Sequence, residues 1–370
     1  MPREGSESSL RIALIGCGEA CEFKHLPALQ RVRGARVVAV ADPDPAPRNR
    51  VADRFAIPHR LPDVGAVLEA GVADAIGVLV PPAQHAEVAI PAIEAGLHML
   101  VEKPLALSLD DADGLVAAER TARGIVAMGF HMRWHRLVRE AREAIRGGAV
   151  GTPESLRAVW NSPRGEGEFP PWKRTRQTGG GALVELGAHM FDLWRFLLGG
   201  EVEEVFAFAE QGPRDDPSAT VSARLSGGVL ASVTLSERTA HNIEFEVAGD
   251  GGRLRVACQR FDGWEHYGLK ETGGMVGPRL RRAGRALREL PRGLRLMHRL
   301  GDYGDSYRGQ WQHLVDCVAK GERPECGLED GLAALRVVSA AAASASCGEP
   351  VRVVAAPRGI TPARRGDGRG

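Results

Sequence analysis

The fold class predicted by this sequence is α/β, a doubly wound parallel sheet followed by an α+β half with an open, mostly antiparallel sheet. Three observations predict it. Short apolar runs alternate with helix-length segments over the first 130 residues. After about residue 150, apolar runs follow one another across glycine turns with no helix between them. The chain has 370 residues, enough for two average domains.

Taken in order, Arg11 to Gly16 (RIALIG) is an apolar run ending in glycine, and Arg36 to Asp42 (RVVAVAD) is another ending in aspartate. A helical segment around Pro27 to Val32 lies between them, which reads as β-α-β. The rhythm continues with a strand at Asp74 to Val80, a helix at Gln84 to Ala95, a strand at His98 to Val101, a helix at Leu109 to Arg120 and a strand at Ile125 to Gly129. These strands are apolar throughout rather than alternating, as a sheet covered by helices on both faces requires, and right-handed crossovers follow. Residues 1–130 are expected to form this domain.

In the second half, Val221 to Leu225 and Val229 to Leu235 flank Gly227-Gly228, and Ile243 to Val247 and Arg253 to Val256 flank Asp250-Gly251-Gly252. Both spacings suit tight hairpins. Ala182 to Leu198 and Gln310 to Val318 are expected to pack as helices on the resulting sheet, in a domain spanning 131–356. Its open face needs a cover, and the same face of another subunit is a common one, so a homodimer or homotetramer is expected. Pro278 to Arg299, arginine-rich with leucines at helical spacing, reads as an exposed amphipathic helix, and 357–370 as a disordered tail.

Forty-eight Lys+Arg against 47 Asp+Glu leave a net charge of +1, which supplies no global field for a polyanion, so no nucleic-acid partner is expected. Apolar stretches are broken well short of the roughly 18 residues that span a bilayer, so no membrane partner is expected either. Met1 to Leu10 carries Glu4 and Glu7 and has no secretory pattern, which points to the cytoplasm. The six cysteines form no C-x-x-C pair; reduced thiols and no metal site are expected.

Chemistry concentrates in four places. Gly16-Cys17-Gly18 directly follows the first strand, where a dinucleotide fold needs glycines for a tight turn and for approach of a pyrophosphate to the backbone. The third glycine of that fingerprint falls at Cys21. Asp42 ends the second strand, where a carboxylate binds ribose hydroxyls; its other reading is a helix cap before Pro43. Glu102-Lys103-Pro104 closes the fourth predicted strand at the carboxyl edge, with Pro104 holding Lys103 extended. Finally, Glu185, His189 and Asp192 share one face of a glycine-opened apolar helix, a costly stripe unless it lines a cavity or is paired.

These residues, with His25-x-Pro27, Pro81-Pro82-x-x-His85, the triple glycine before Glu185 and His189, and Gly327-x-Glu329-Asp330-Gly331, make a sequence that resembles the Gfo/Idh/MocA oxidoreductases over about residues 10–354. The resemblance implies hydride transfer between a nicotinamide cofactor and a secondary alcohol of a sugar or cyclic polyol; NAD is expected over NADP, because the Asp42 carboxylate would sit against a 2′-phosphate. It implies that Lys103 contacts the reacting oxygen and shares its proton with His189, the principal acid/base. Gly16, Cys17, Gly18 and Asp42 would hold the cofactor, with Pro81, His85 and Glu102 on its nicotinamide side and Trp172 and Lys173 closing over it. Asp192 would face the substrate. Two residues depart from the family pattern. Glu185 replaces the usual aspartate and is expected to orient His189 one turn away rather than touch substrate. His131 replaces a common Asn or Gln and, with Arg133, is expected to read the substrate. Alternative readings are a redox-assisted glycoside-processing enzyme of the same fold and a non-catalytic dinucleotide-binding regulator; retention of Lys103 and His189 argues against the latter.

Overall fold

The computed structural model describes residues 9–163, 170–210, 215–296 and 301–353. The expected tail at 357–370 and the end of the arginine-rich segment lie outside the described residues.

Six parallel strands, β1 (Leu10–Ile15), β2 (Ala35–Ala41), β3 (His59–Leu61), β4 (Ala75–Val78), β5 (His98–Glu102) and β6 (Val126–Gly129), lie in the order β3-β2-β1-β4-β5-β6. The order reverses between β1 and β4, the switch point beyond whose carboxyl ends such sheets bind ligands. The connecting helices are α1 (Leu26–Leu29), α2 (Pro45–Phe55), α3 (Val64–Ala70), α4 (His85–Glu94) and α5 (Leu109–Thr121). The apolar-run reading passes over β3 because it is three residues long and mostly exposed, and over α2 because most of its residues are polar or proline.

The second half contains α6 (Arg136–Arg146), β7 (Pro153–Asn161), α7 (Ala188–Leu198), β8 (Val202–Ala209), β9 (Ser218–Leu225), β10 (Leu230–Ser236), β11 (Asn242–Gly249), β12 (Gly252–Ala257), β13 (Trp264–Gly268), α8 (Val276–Leu296), α9 (Gly301–Lys320), α10 (Leu328–Cys347) and β14 (Val351–Arg352). Its eight strands run β13-β12-β11-β7-β10-β9-β8-β14. β10 pairs with β7 in parallel and the other neighbours are antiparallel, so the sheet is mixed. Both hairpins form where the glycines lie, with Gly227 and Gly228 at φ +83° and +86°. Strands such as β9 alternate buried and exposed residues, so one face packs and the other is open.

One helix departs from expectation. Gln310 to Val318 falls within α9, and its Trp311, Leu314 and Val315 join Ile12, Leu14, Val40 and Leu100 on the parallel sheet, rather than packing on the mixed one. α3, α4 and α5 cover the other face of the parallel sheet, whereas α1 is only four residues long and leaves a gap on this one. Gly77 makes room for the replacement: a Cβ there would sit 2.7 Å from Leu14 and 3.0 Å from the Trp311 ring. The arginine-rich helix α8 forms as expected, tied down by Arg281–Glu271, Arg285–Glu140 and Arg292–Asp302 pairs, with Leu280, Leu287 and Leu294 exposed.

Among the described residues no helix is long and apolar enough to cross a membrane, and no His/Cys/Asp/Glu group could hold a metal ion. All six cysteines are free.

Candidate active site

A cleft of about 1490 Å³ runs from the carboxyl edge of the parallel sheet to the mixed sheet and α8. At one end, Gly16 leaves β1 at φ +98°, and a Cβ there would lie 2.8 Å from the Leu79 carbonyl, so only glycine fits. Gly18 is the opposite case: nothing lies within 4 Å of its would-be Cβ, which leaves its backbone open to the cleft. The Cys17 N–H donates to Asp42 Oδ2 (2.8 Å) and the Asp44 N–H to Oδ1 (2.9 Å), so one carboxylate ties the glycine turn to the end of β2. The helix cap expected as the alternative role of Asp42 belongs to Asp44, which accepts from the Ala46 N–H. Cys21, at the missing third glycine, is buried and opens a π-helical turn, Cys21–His25. Open glycine backbone beside a carboxylate at the end of β2 is the cradle a dinucleotide requires, and the residues present fit one.

Lys103 projects from the end of β5. Its Nζ donates to the Glu185 carbonyl (3.0 Å) and lies 3.1 Å from Glu185 Oε2. Lys173 Nζ takes the other oxygen at 2.9 Å and sits 4.9 Å from the Trp172 ring centre. Burial by itself would raise the Glu185 carboxyl, but the two ammonium groups outweigh it and hold the group down at about 2. Two cations on one anion leave net positive charge where an alkoxide would develop.

Glu185 therefore does not orient His189, contrary to expectation. It lies in a π-turn, Leu183–Gly187, whose wider winding breaks the i to i+4 alignment, and two charged partners outcompete a neutral ring. His189 is instead held by rings: it stacks on Trp160 (5.1 Å, 14°) and meets Phe130 edge-on. Burial and the charge of Lys103 push its imidazolium well below the ordinary range, so at neutral pH the ring is a neutral base.

Behind Lys103 runs a chain that sequence reasoning missed. Trp311 Nε1 donates to His25 Nδ1 (3.0 Å), which puts the proton of a neutral His25 on Nε2, 3.0 Å from Glu102 Oε1 in an oblique approach. Glu102 Oε2 accepts the Lys103 N–H at 3.1 Å. The one available signal was Gly77, a glycine inside an apolar strand, which announces a bulky partner without naming it.

Gly16, Gly18, Asp42, Pro81, Glu102, Lys103, Trp172, Lys173, Glu185 and His189 all line the cleft, while Cys17, His85, His131, Arg133 and Asp192 do not. The Cys17 thiol is buried against the Ala41 carbonyl. His85 is buried with Nδ1 3.0 Å from the Leu105 carbonyl and Nε2 3.1 Å from the Val80 carbonyl, so it fastens the loops beneath Pro81 and Lys103 instead of facing a cofactor. Arg133 and Asp192, expected at the substrate, face each other in the interior: Arg133 Nε donates to Asp192 Oδ2 at 2.9 Å, and Nη1 reaches the Glu325 carbonyl and Asp330. Both charges are buried and each answers the other, which satisfies the costly stripe by pairing. Arg133→Met is expected to lose about 3–5 kcal/mol of folding stability in urea, because Asp192 is left uncompensated. A loss below 1 kcal/mol accompanied by a raised Michaelis constant would return Arg133 to the substrate.

Residues 10–130 match the family described as "Oxidoreductase family, NAD-binding Rossmann fold", and residues 138–255 match the "GFO/IDH/MocA C-terminal domain". The chain is 28% identical over 334 residues to myo-inositol 2-dehydrogenase of Thermotoga maritima, covering 88% of this chain and 93% of that one. It is 26% identical over 351 residues to D-apiose dehydrogenase of Paraburkholderia graminis (92% and 89% covered). An oxidoreductase domain protein from Kribbella flavida superposes with a TM-score of 0.81 at 25% identity, over 94% of this chain and all of that one. The WlbA dehydrogenase from Bordetella pertussis, solved with NADH and UDP-GlcNAcA, shares the fold at a TM-score of 0.80 and 21% identity, over 94% of this chain and 99% of that one.

Proposed function

This chain belongs to the Gfo/Idh/MocA oxidoreductase family, and on that premise we propose that it moves a hydride between NAD(H) and a secondary alcohol or ketone of a sugar, sugar derivative or cyclic polyol. The observation that carries the reading is one cleft holding the Gly16–Gly18 turn and Asp42 at one end and Lys103 with a neutral His189 farther along. Relatives named for inositol and apiose support the substrate class. Gly18 and the Cys17 turn would lie against the pyrophosphate, Asp42 against the adenosine ribose, and Pro81 and Glu102 near the nicotinamide, which supplies the hydride acceptor. Lys103 Nζ points its charge at the carbinol oxygen and favours the alkoxide, while His189 receives the proton as the C–H bond breaks. Residues 1–130 hold the cofactor in this reading, and 131–356 close the substrate side. The enzyme is cytoplasmic and pairs as a homodimer or homotetramer through the open face of the mixed sheet.

The test is a panel of sugars, cyclitols and nucleotide-linked sugars, each followed by absorbance of the reduced cofactor. Oxidation of at least one polyhydroxylated substrate with net NADH formation is expected. No turnover across the panel with intact NADH binding would favour the regulator reading, and cleavage without net NADH the glycoside-processing one.

NADH is expected to bind at least about tenfold more tightly than NADPH, because a 2′-phosphate would face Asp42 at ~4 Å, a repulsion of several kcal/mol before solvent screening. The nearby arginines have other partners: Arg50 and Arg54 both pair with Glu22, and Arg48 donates to the Asp42 carbonyl. Equal or tighter binding of NADPH in a fluorescence titration would overturn this preference.

A further inference from the structure

His131 does not reach the cleft, yet it stands directly behind His189. Its ring lies nearly flat on Tyr307, centroids 4.1 Å apart, and meets the His189 ring at 5.0 Å and 79°. His131 Nδ1 is 2.8 Å from Ser306 Oγ, and Ser306 donates its single proton to the Tyr303 carbonyl, 2.6 Å away on α9. Ser306 therefore accepts from His131, which places the proton of the neutral ring on Nδ1 and leaves Nε2 as a lone pair. Both His131 Nε2 and His189 Nδ1 are buried without a partner, and they belong to adjacent rings. An N–H on His189 Nδ1 would satisfy both atoms at once, through one N–H···N bond to the His131 lone pair, made directly or through a single water.

We propose that His131 is a positioning residue for proton transfer. The series from the Tyr303 carbonyl through Ser306 to His131 presents a lone pair to His189, holds the His189 proton on Nδ1 and leaves Nε2 as the base that faces the cleft. When His189 takes up a second proton, the same bond supports the imidazolium. The charged and titratable groups around the pair are Lys103 just after β5, itself paired with Glu185, His25 at the end of its π-helical turn, His135 just before α6, and Tyr303 and Tyr307 of α9, whose rings pack on His131. Phe130 and Trp160 enclose His189 with apolar surface, which leaves His131 as the ring that presents a nitrogen lone pair to it.

Nitrogen–proton correlation spectra of the histidine rings in the full-length protein, with the His189 signal identified by its loss in His189→Gln, read the tautomer without any substrate. The wild type is expected to show His189 protonated on Nδ1. His131→Phe keeps the stack on Tyr307 and is expected to move the proton to Nε2, with kcat down on the order of tenfold to a hundredfold and an unchanged KM for NAD. His131→Gln, whose amide can accept from His189 and donate to Ser306, restores both readouts, and Ser306→Ala loses part of each. An Nε2 proton in the wild type, an unmoved tautomer in His131→Phe, or a moved tautomer with full turnover would each overturn the proposal. The kinetic arm rests on the reading of the enzyme as a dehydrogenase, but the spectra do not, so the two can fail separately.

Discussion

Lys103→Met is expected to keep the fold and NADH affinity and to lower turnover by about two to four orders of magnitude, the usual contribution of a positioned proton-transfer group. The ammonium is held in place by the Glu185 carbonyl and carboxylate and lies beside His189, so its loss removes the cation next to the reacting oxygen. The fold should survive because Glu185 retains Lys173 at 2.9 Å and methionine fills the space of the lysine stem. Binding and chemistry should separate in a fluorescence titration run beside single-turnover kinetics. Turnover near the wild-type rate would make Lys103 a bystander.

Glu185→Gln is expected to fail in two measurements at once. The carboxyl titrates at about 2 in the folded protein against 4.5 for a free glutamate, a difference that corresponds to about 3 kcal/mol of stability. Because the folded value is depressed, that stability is fully present above pH 4.5 and is lost as the pH falls through about 2. The stability gap between wild type and variant, measured by urea unfolding, should therefore be largest near neutrality and shrink steadily between pH 4.5 and pH 2. A gap independent of pH would mean that the two lysines do not hold this group. Catalytically, an amide leaves Lys103 and Lys173 facing each other without the anion between them, so kcat should fall about tenfold or more while the Michaelis constant changes little. A raised Michaelis constant at unchanged kcat would make Glu185 a specificity residue.

The parts of this protein whose signals are local could be read from the order of its residues. Alternation of apolar runs and helices specified the parallel sheet, because strands buried on both faces must be apolar throughout. Gly16, Gly18 and Asp42 were legible from their places just after β1 and at the end of β2; the close approach to the Leu79 carbonyl requires glycine at position 16, and the Asp42 carboxylate ties that turn down. Lys103 was legible from its place at the carboxyl edge. Pairing across the chain was not. Ideal helical spacing would put Glu185, His189 and Asp192 on one face, but the π-turn breaks that alignment, and spacing does not say who meets each residue. Glu185 meets Lys103 from 82 residues away, and Asp192 meets Arg133 from 59. α9 crosses to the first sheet because a four-residue α1 leaves a gap on that face and Gly77 leaves room for Trp311. Such contacts are set by packing, since a buried charge or lone pair takes whichever partner the folded backbone brings within reach, and periodicity along the chain does not record which partner that is.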